Sequence, residues 1–384
     1  MNSLPKLART LKIAVAVAAS VATLAVAPAS ASAEQDRHPK DSRGPVFVQT
    51  DDVRGNKIVA YHRAPDGTLH KRGVYATDGK GGVLAGSVVD HLASQGSLTY
   101  DAKHRLLYAV NAGSNTLTVF AVDGERLHRK QVISSGGTFP VSVTTHGDRV
   151  YVLNARKGGS IQGYRLTTKG LERVKTWHRA LHLDTGTAPE FTHTPGQVAF
   201  TPDGSRLVVT TKAGGNSIEV FHLDRTGAPA AKPVVNSKAG SVPFGVTFDR
   251  RERLVVADAG PNTVLTFRIE KRGDVTLLDD IATGQQATCW IVRAGDRFYV
   301  SNAGSNTLSG FWQNRGAHLE ALGNTPTGAG TVDAAVSPDN RYLYVQTGGK
   351  GAVDGFRVNA NGSLTKISTT PVPDAVGGEG IVVL

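Results

Sequence analysis

The sequence predicts an all-β fold, a seven-bladed β-propeller of four-stranded antiparallel blades whose first blade is closed by the C-terminal strand. Three observations predict it. The heptapeptide NAGSNTL occurs twice, at 111–117 and 302–308, and five variants punctuate the rest of the chain: RGNKI (54–58), KGGSI (157–161), GGNSI (214–218), AGPNTV (259–264) and GGKGAV (348–353). The apolar residues closing these loops, Ile58, Leu117, Ile161, Ile218, Val264, Leu308 and Val353, are spaced by 59, 44, 57, 46, 44 and 45 residues. A period in the forties is that of a propeller blade. The 31 residues after Val353 and the 13 from Pro45 to Ile58 together supply one more period. The chain ends on GIVVL, which fits the first strand of a unit, and that unit's other three strands stand at the start of the repeat region.

Residues 1–33 read as a secretory signal peptide. Lys6, Arg9 and Lys12 precede the uncharged run 13–27, and small residues follow up to Ala33. This is the charged, apolar and small-residue order of an export signal, and the run is too short for a convincing membrane span. A mature chain beginning near Glu34 is expected in the culture medium, which N-terminal sequencing checks. Residues 34–44 form a polar lead-in, and 45–384 the propeller. Each loop is preceded by a strand-like run (VFVQT, LLYAVN, VYVLN, LVVTT, LVVADA, FYVSN, LYVQT) and followed by another (KIVAYHR, TLTVFAV, SIQGYRL, SIEVFHL, TVLTFRI, TLSGFWQ, AVDGFRV). Short Val-, Tyr-, Phe- and Thr-rich runs bounded by Gly, Asn and Ser are hairpin strands. One whole unit reads QVAFTP, DGSRLVVTT, SIEVFHL, AKPVVNS, and no long helical pattern interrupts 45–384.

Strand direction alternates within a blade, so parity assigns loops to faces. First-to-second and third-to-fourth connections share a face of short polar turns such as TPDGSR and SPDNRY. The opposite face carries the repeated loops, the blade-to-blade connections and two insertions near 73–96 and 176–196, which account for the spacings of 59 and 57. Loops projecting from a rigid scaffold are where binding and catalysis concentrate. The mouth of the central channel on this face is lined by residues entering each first strand: Gln95, Phe139, Gln197, Phe244, Thr288, Cys289, Trp290, Asp333 and Glu379. Asp333 and Glu379 come from adjacent blades, and a crowded channel can keep one carboxyl protonated as acid while the other serves as base. The alternative is that both only solvate a wet channel or accept backbone amides. The second insertion adds His178, His182, His193, Asp184 and Glu190. A helical turn over 177–183 would put His178 and His182 on one face in metal-ligand spacing, but no Glu follows His178 as the zinc-protease signature requires. Neither a metal nor any other cofactor is expected. Cys289 beside Trp290 reads as core rather than nucleophile.

The precursor carries a formal charge of +11, and cleavage after Ala33 removes three basic residues and leaves +8. The basic residues are scattered and the aromatics are not interleaved with them, which argues against nucleic-acid binding. Such a surface suits a soluble secreted monomer and attracts anionic cell-wall polymers weakly. A single cysteine excludes an intramolecular disulfide, so packing alone must hold the fold.

The segments YAVNAGSNTLTVF, FYVSNAGSNTLSGF, VAFTPDGSRLVVTT and AVSPDNRYLYVQT resemble the bacterial lactonase-type seven-bladed propellers. That family includes the propeller 6-phosphogluconolactonases and carboxymuconate cyclases and is related to the YVTN surface-layer repeats. The resemblance spans roughly 45–384 and implies a small-molecule lactone as ligand. It also implies a His just before the strand corresponding to QVAF, where this chain has Gly196 with His193 three residues earlier. Where the family shows GPRH, this chain reads VPFG, so Phe244 and Gly245 replace the Arg and the His. An Arg holds a phosphate or carboxylate bidentately and Phe cannot. A housekeeping phosphogluconolactonase is therefore not expected. Two functions remain open. One is a secreted, extracellular lactonase-like hydrolase or cyclase, with acid–base work from Asp333, Glu379, His193 and Glu190 and substrate contacts from Gln197, Phe244 and Trp290. The other is a non-catalytic extracellular propeller that binds a glycan, a cell-wall polymer or a protein.

Overall fold

A computed structural model of the chain describes residues 44–384; the signal-peptide reading and nearly all of the lead-in lie outside them. Among the described residues the strands form seven sheets of four, each an antiparallel meander. In blades 2 to 7 the innermost strand comes first: Leu98–Asp101, Pro140–His146, Gln197–Phe200, Pro243–Phe248, Thr288–Ala294 and Thr331–Val336. Blade 1 differs. Its strands Val46–Gln49, Lys57–Arg63 and Leu69–Ala76 are completed on the inside by Ile381–Val383 from the C-terminus. Val46 pairs Val383, Phe47 pairs Val382 and Val48 pairs Ile381. Each innermost strand touches the next around the ring, and Ile381–Val383 closes it by touching both Thr331–Val336 and Leu98–Asp101. Closure leaves no inner edge to recruit another chain.

The core is a set of apolar layers between neighbouring blades. Val46, Val48, Val59 and Tyr61 of blade 1 pack with Tyr342 and Tyr344 of blade 7, for example. The third strands share a device. In six blades the pairing with the outermost strand slips just before an aromatic residue: Tyr61, Phe120, Tyr164, Phe267, Phe311 and Phe356. A bulge adds local twist and re-aims the following side chain, and all six rings are buried. The aromatic in KIVAYHR, TLTVFAV and their relatives is thus the wedge that fills the gap between diverging blades.

The repeated heptapeptide fastens blades together. In the first copy Asn111 Nδ2 donates to Thr116 Oγ1 (3.1 Å) and Thr118 Oγ1 (2.9 Å), bracing its own hairpin. Asn115 sits in the left-handed region at φ 55°, which Asn tolerates better than most residues. Its Oδ1 accepts Phe139 N of the next blade at 2.7 Å. The second copy repeats both moves: Asn302 Nδ2 donates to Thr307 Oγ1 and Ser309 Oγ, and Asn306 Oδ1 accepts Gly330 N at 2.7 Å.

The two insertions are shorter than the spacings imply, because the outer strands run on. Gly73–Ala76 belongs to the strand Leu69–Ala76, and Thr176–Ala180 to Gly170–Ala180. The helical turn considered over 177–183 does not form. Trp177 is buried and stacked on Tyr151 with ring centroids 5.8 Å apart, and His178 lies in the strand. The insertions proper occupy 77–97 and 181–196, the second holding a single helical turn, Glu190–His193.

Candidate active site

The first insertion folds inward as a plug across the mouth of the channel. Leu84, Leu92 and Ala93 are buried within it. Asp90 folds it on itself, its carboxylate accepting Leu92 N (2.9 Å) and Ser94 N (3.0 Å). Blade 6 grips it twice. Trp290 Nε1 donates to Ser94 O (2.6 Å), and the Gln95 amide mimics a strand, donating to Ile291 O (2.9 Å) and accepting Ile291 N (3.0 Å). From blade 4, Lys212 Nζ donates to Ala93 O (2.6 Å) and also to Phe191 O (2.6 Å) and Thr194 Oγ1 (3.0 Å), so one ammonium ties both insertions to the ring. Arg156 and Glu190 form a two-pronged pair, Nε to Oε1 at 2.7 Å and Nη2 to Oε2 at 3.0 Å. The same two side chains hold the plug backbone, through Val83 O on Arg156 and Ala85 N on Glu190.

Beneath the plug lies a chamber of buried carboxyls. Glu379 Oε2 accepts Ser94 Oγ (3.0 Å) and its Oε1 accepts Ser97 N (3.3 Å). Asp51 Oδ2 accepts Glu379 N (2.8 Å) and its Oδ1 accepts Gln49 Nε2 (2.6 Å). Asp333 Oδ1 accepts Ala334 N at 2.9 Å. Removal from water disfavours charge and raises all of them. Burial carries Asp51 to about 8, Asp333 to about 7, Asp90 to about 6 and Glu379 well above the usual range, with mutual repulsion adding to the burial for Asp51, Asp333 and Glu379. Burial also pulls Lys212 down to about 7 against the attraction of Asp90, and pushes the Cys289 thiol up to about 12. An enclosed thiol with that pKa is no nucleophile.

The structure therefore divides the predicted site residues into two groups. Asp333 and Glu379 converge with Asp51 and Asp90, but only 4% and 0% of their surfaces are exposed, so a substrate cannot touch them while the plug is seated. Gln197, Phe244 and Trp290, expected to contact substrate, are each engaged within the protein. Gln197 Oε1 accepts Val246 N (2.6 Å), and Phe244 meets the Trp290 ring edge-on at 4.9 Å. Gly245, standing where the resemblance implies His, has a physical reason. A Cβ on Gly245 would come within 2.1 Å of Gln95 Oε1, so the plug occupies the space that a side chain there would need.

His193 and Glu190 lie elsewhere, in an open cleft of about 60 Å³ beside the plug, lined also by Arg156, Asp184, Thr187 and Thr194. His193 Nδ1 is 3.0 Å from Pro189 O and 2.8 Å from Thr192 Oγ1. A carbonyl can only accept, so the contact assigns the proton to Nδ1 and leaves the lone pair on Nε2. Asp184 accepts Thr187 Oγ1 (2.5 Å) and Gly186 N (3.0 Å). The Thr187 bond, with a smaller contribution from His193, holds its carboxyl below the usual range. Glu190 is lowered chiefly by its bond to Arg156. Among the described residues no group of three or more His, Cys, Asp or Glu is arranged to hold a metal.

Asp51, Asp90, Arg156 and Lys212 escaped the sequence reading. For Lys212 a signal existed. Aligned on Asn115, Asn216 and Asn306, the loops place Lys212 where Asn111 and Asn302 brace the two identical copies, a break in the repeat at a buried position.

No curated protein matches the sequence. Among solved structures, a 6-phosphogluconolactonase candidate from Bacteroides fragilis is 20% identical, with TM-score 0.71 over 91% of this chain and 100% of that one. The periplasmic gluconolactonase of Pseudomonas aeruginosa is 17% identical, with TM-score 0.69 over 89% and 99%. A second 6-phosphogluconolactonase candidate, from Bacteroides uniformis, is 18% identical, with TM-score 0.72 over 89% and 99%. At these identities the likeness is one of fold. The family model described as lactonase, 7-bladed beta-propeller matches residues 67–379. With its seven blades and that match across most of its length, the chain belongs to the seven-bladed lactonase β-propeller family.

Proposed function

We propose that this protein hydrolyses a small lactone at the open cleft of the second insertion, with His193 as the general base. The observation that carries the reading is the Nε2 lone pair of His193 in a solvent-open cleft shared with Arg156 and Asp184. His193 Nε2 would take a proton from water as the water oxygen bonds to the lactone carbonyl carbon. The imidazolium would then return that proton to the ring oxygen as the acyl C–O bond breaks, giving the open hydroxy acid. Arg156, though paired with Glu190, presents positive charge to the developing oxyanion. A cleft of about 60 Å³ takes the reacting edge of a ring and an attacking water rather than a whole sugar lactone. Glu190 orients Arg156, and Asp333 and Glu379 sit one layer below, supporting the plug.

Turnover of a lactone panel followed by pH-stat tests this reading. His193→Gln is expected to lower kcat/KM by roughly 100-fold or more, the usual scale for a general base, with the melting temperature unchanged. Undiminished turnover in that variant removes the assignment. The plugged channel favours a second reading, an export-targeted binding propeller without turnover. Failure of the wild-type protein to open any lactone in the panel would select it.

A further inference from the structure

On the face opposite the insertions, the turns of blades 4, 5 and 6 enclose two adjoining hollows of about 440 and 320 Å³. Both are lined by Arg251 and Arg253; the first adds Arg206 and the second adds Arg315 and Trp312. Of the acids at the rim, Glu252 alone is exposed without a partner among the described residues, one charge against the arginines, and the aspartates are already engaged. Asp249 accepts Arg253 Nε (2.5 Å) and the backbone of Arg251 and Arg253, Asp203 accepts Ser205 and Thr201, and Asp296 pairs with Arg250 at 3.2 Å. Arg253 also reaches Arg315 O and Gln313 Oε1, which fixes the blade 5 turn against the blade 6 turn. Three guanidinium groups retain free donors. Arg206 Nε is enclosed without an acceptor, and the exposed side chains of Arg251 and Arg315 have no partner among the described residues. Trp312 leaves 38% of its surface exposed in the same groove.

We infer that this groove binds an anionic polysaccharide. Guanidinium forks match carboxylate and phosphate oxygens and are more weakly hydrated than ammonium groups, so they exchange water for an anion at low cost. The flat indole offers an apolar platform with a polar tip, which suits the C–H face of a pyranose ring. Sugar rings with charges along the chain use both features. A single-stranded nucleic acid would want a row of aromatics, and this groove has one. The site is separate from the His193 cleft and does not depend on lactone chemistry.

Polygalacturonate is the probe, with neutral dextran and polyglutamate as controls, in calorimetry on the full mature chain at low and physiological salt. The expected result is binding of polygalacturonate that weakens as salt rises, with none to dextran. The paired substitution Arg251→Gln, Arg315→Gln should weaken it about tenfold or more. Trp312→Ala should weaken polygalacturonate binding while leaving any polyglutamate binding unaltered. All three positions are exposed, and unchanged melting temperatures will show that the ring is intact. No binding by the wild-type chain, affinity unaffected by the arginine substitutions, or equal affinity for polyglutamate and polygalacturonate would each overturn the inference.

Discussion

A chain lacking residues 380–384 is expected to yield no soluble folded protein. The deletion takes the innermost strand from blade 1 and with it both sides of the ring's last joint. It removes the pairing of Ile381–Val383 with Val46–Val48 and the bonds Gln49 N to Gly380 O (2.8 Å) and Leu384 N to Pro45 O (2.9 Å). Ile381, Val382, Val383 and Leu384 pack against neighbouring blades. At roughly 1.5–3 kcal/mol per buried aliphatic side chain and about 1 kcal/mol per hydrogen bond, the loss is on the order of 10 kcal/mol. That equals the whole stability of an ordinary domain, about 5–15 kcal/mol. The loss also strips the cover from Asp333 and Glu379 and exposes an unpaired edge. Gly380 offers a milder version of the same test. Its φ is +111°, and an added Cβ would meet Ser97 Oγ at 2.4 Å, so Gly380→Ala should lower the melting temperature without abolishing the fold. Recovery of the truncated chain with unchanged melting temperature and solubility would show that the ring does not rely on this clasp.

That joint was legible in the sequence because blade periodicity is local and additive: seven markers and one split period determine a closed ring. The loop turns were legible for the same reason, since Gly and Asn at fixed offsets carry their own conformational logic. What joins distant turns was not. Gln95 and Ile291, or Lys212 and Ala93, meet because two insertions fold inward over the channel, and no repeat encodes where an insertion goes. The carboxyl pair Asp333 and Glu379 was visible from blade position alone. That the first insertion brings Asp90 to it and closes over it depends on the path of 77–97, and that Asp51 joins it depends on the bond from Glu379 N at the C-terminal joint. The insertion boundaries were misjudged because Gly73–Ala76 and Thr176–Ala180 continue strands beyond the point where the period suggests an end. His193 and Glu190 were identified as residues but placed at the channel mouth, whereas they line a separate cleft.

The buried carboxyls predict that the protein is most stable near pH 5 and loses stability as the pH rises to 7. Asp51 holds its proton up to about 8 in the folded chain against 3.8 for an ordinary Asp, and Asp333 up to about 7. Asp90, at about 6, and Glu379 shift the same way, as does Glu219, which burial in blade 4 raises to about 7. Between the two values the folded state binds more protons than the unfolded, so stability is fully present below the unfolded pKa and declines as pH climbs through the folded one. Each such group contributes a decline of about 1.4 kcal/mol per pH unit over its interval. Of the groups around the chamber, His91 is lowered by burial and opposes this trend up to about pH 6.5, the ordinary His value. Lys212, lowered from 10.5 to about 7, opposes it only above pH 7 because below that it is charged in both states. Cys289 stays neutral throughout. Five groups against one leave a net fall of several kcal/mol from pH 5 to 7, flattening at higher pH. Carboxyls lowered by their partners, such as Asp203 at about 2, act below pH 5 and set the acid limb. Denaturant unfolding across this range measures the curve, and Glu219→Gln isolates one group. Glu219 Oε2 is enclosed without a partner, so the amide removes a charge cost and forfeits no bond seen at that oxygen. The variant should gain about 1–3 kcal/mol at pH 8 and almost nothing at pH 5. Stability that rises or stays level from pH 5 to 7 would mean that the chamber carboxyls are ionised and solvated in the folded protein.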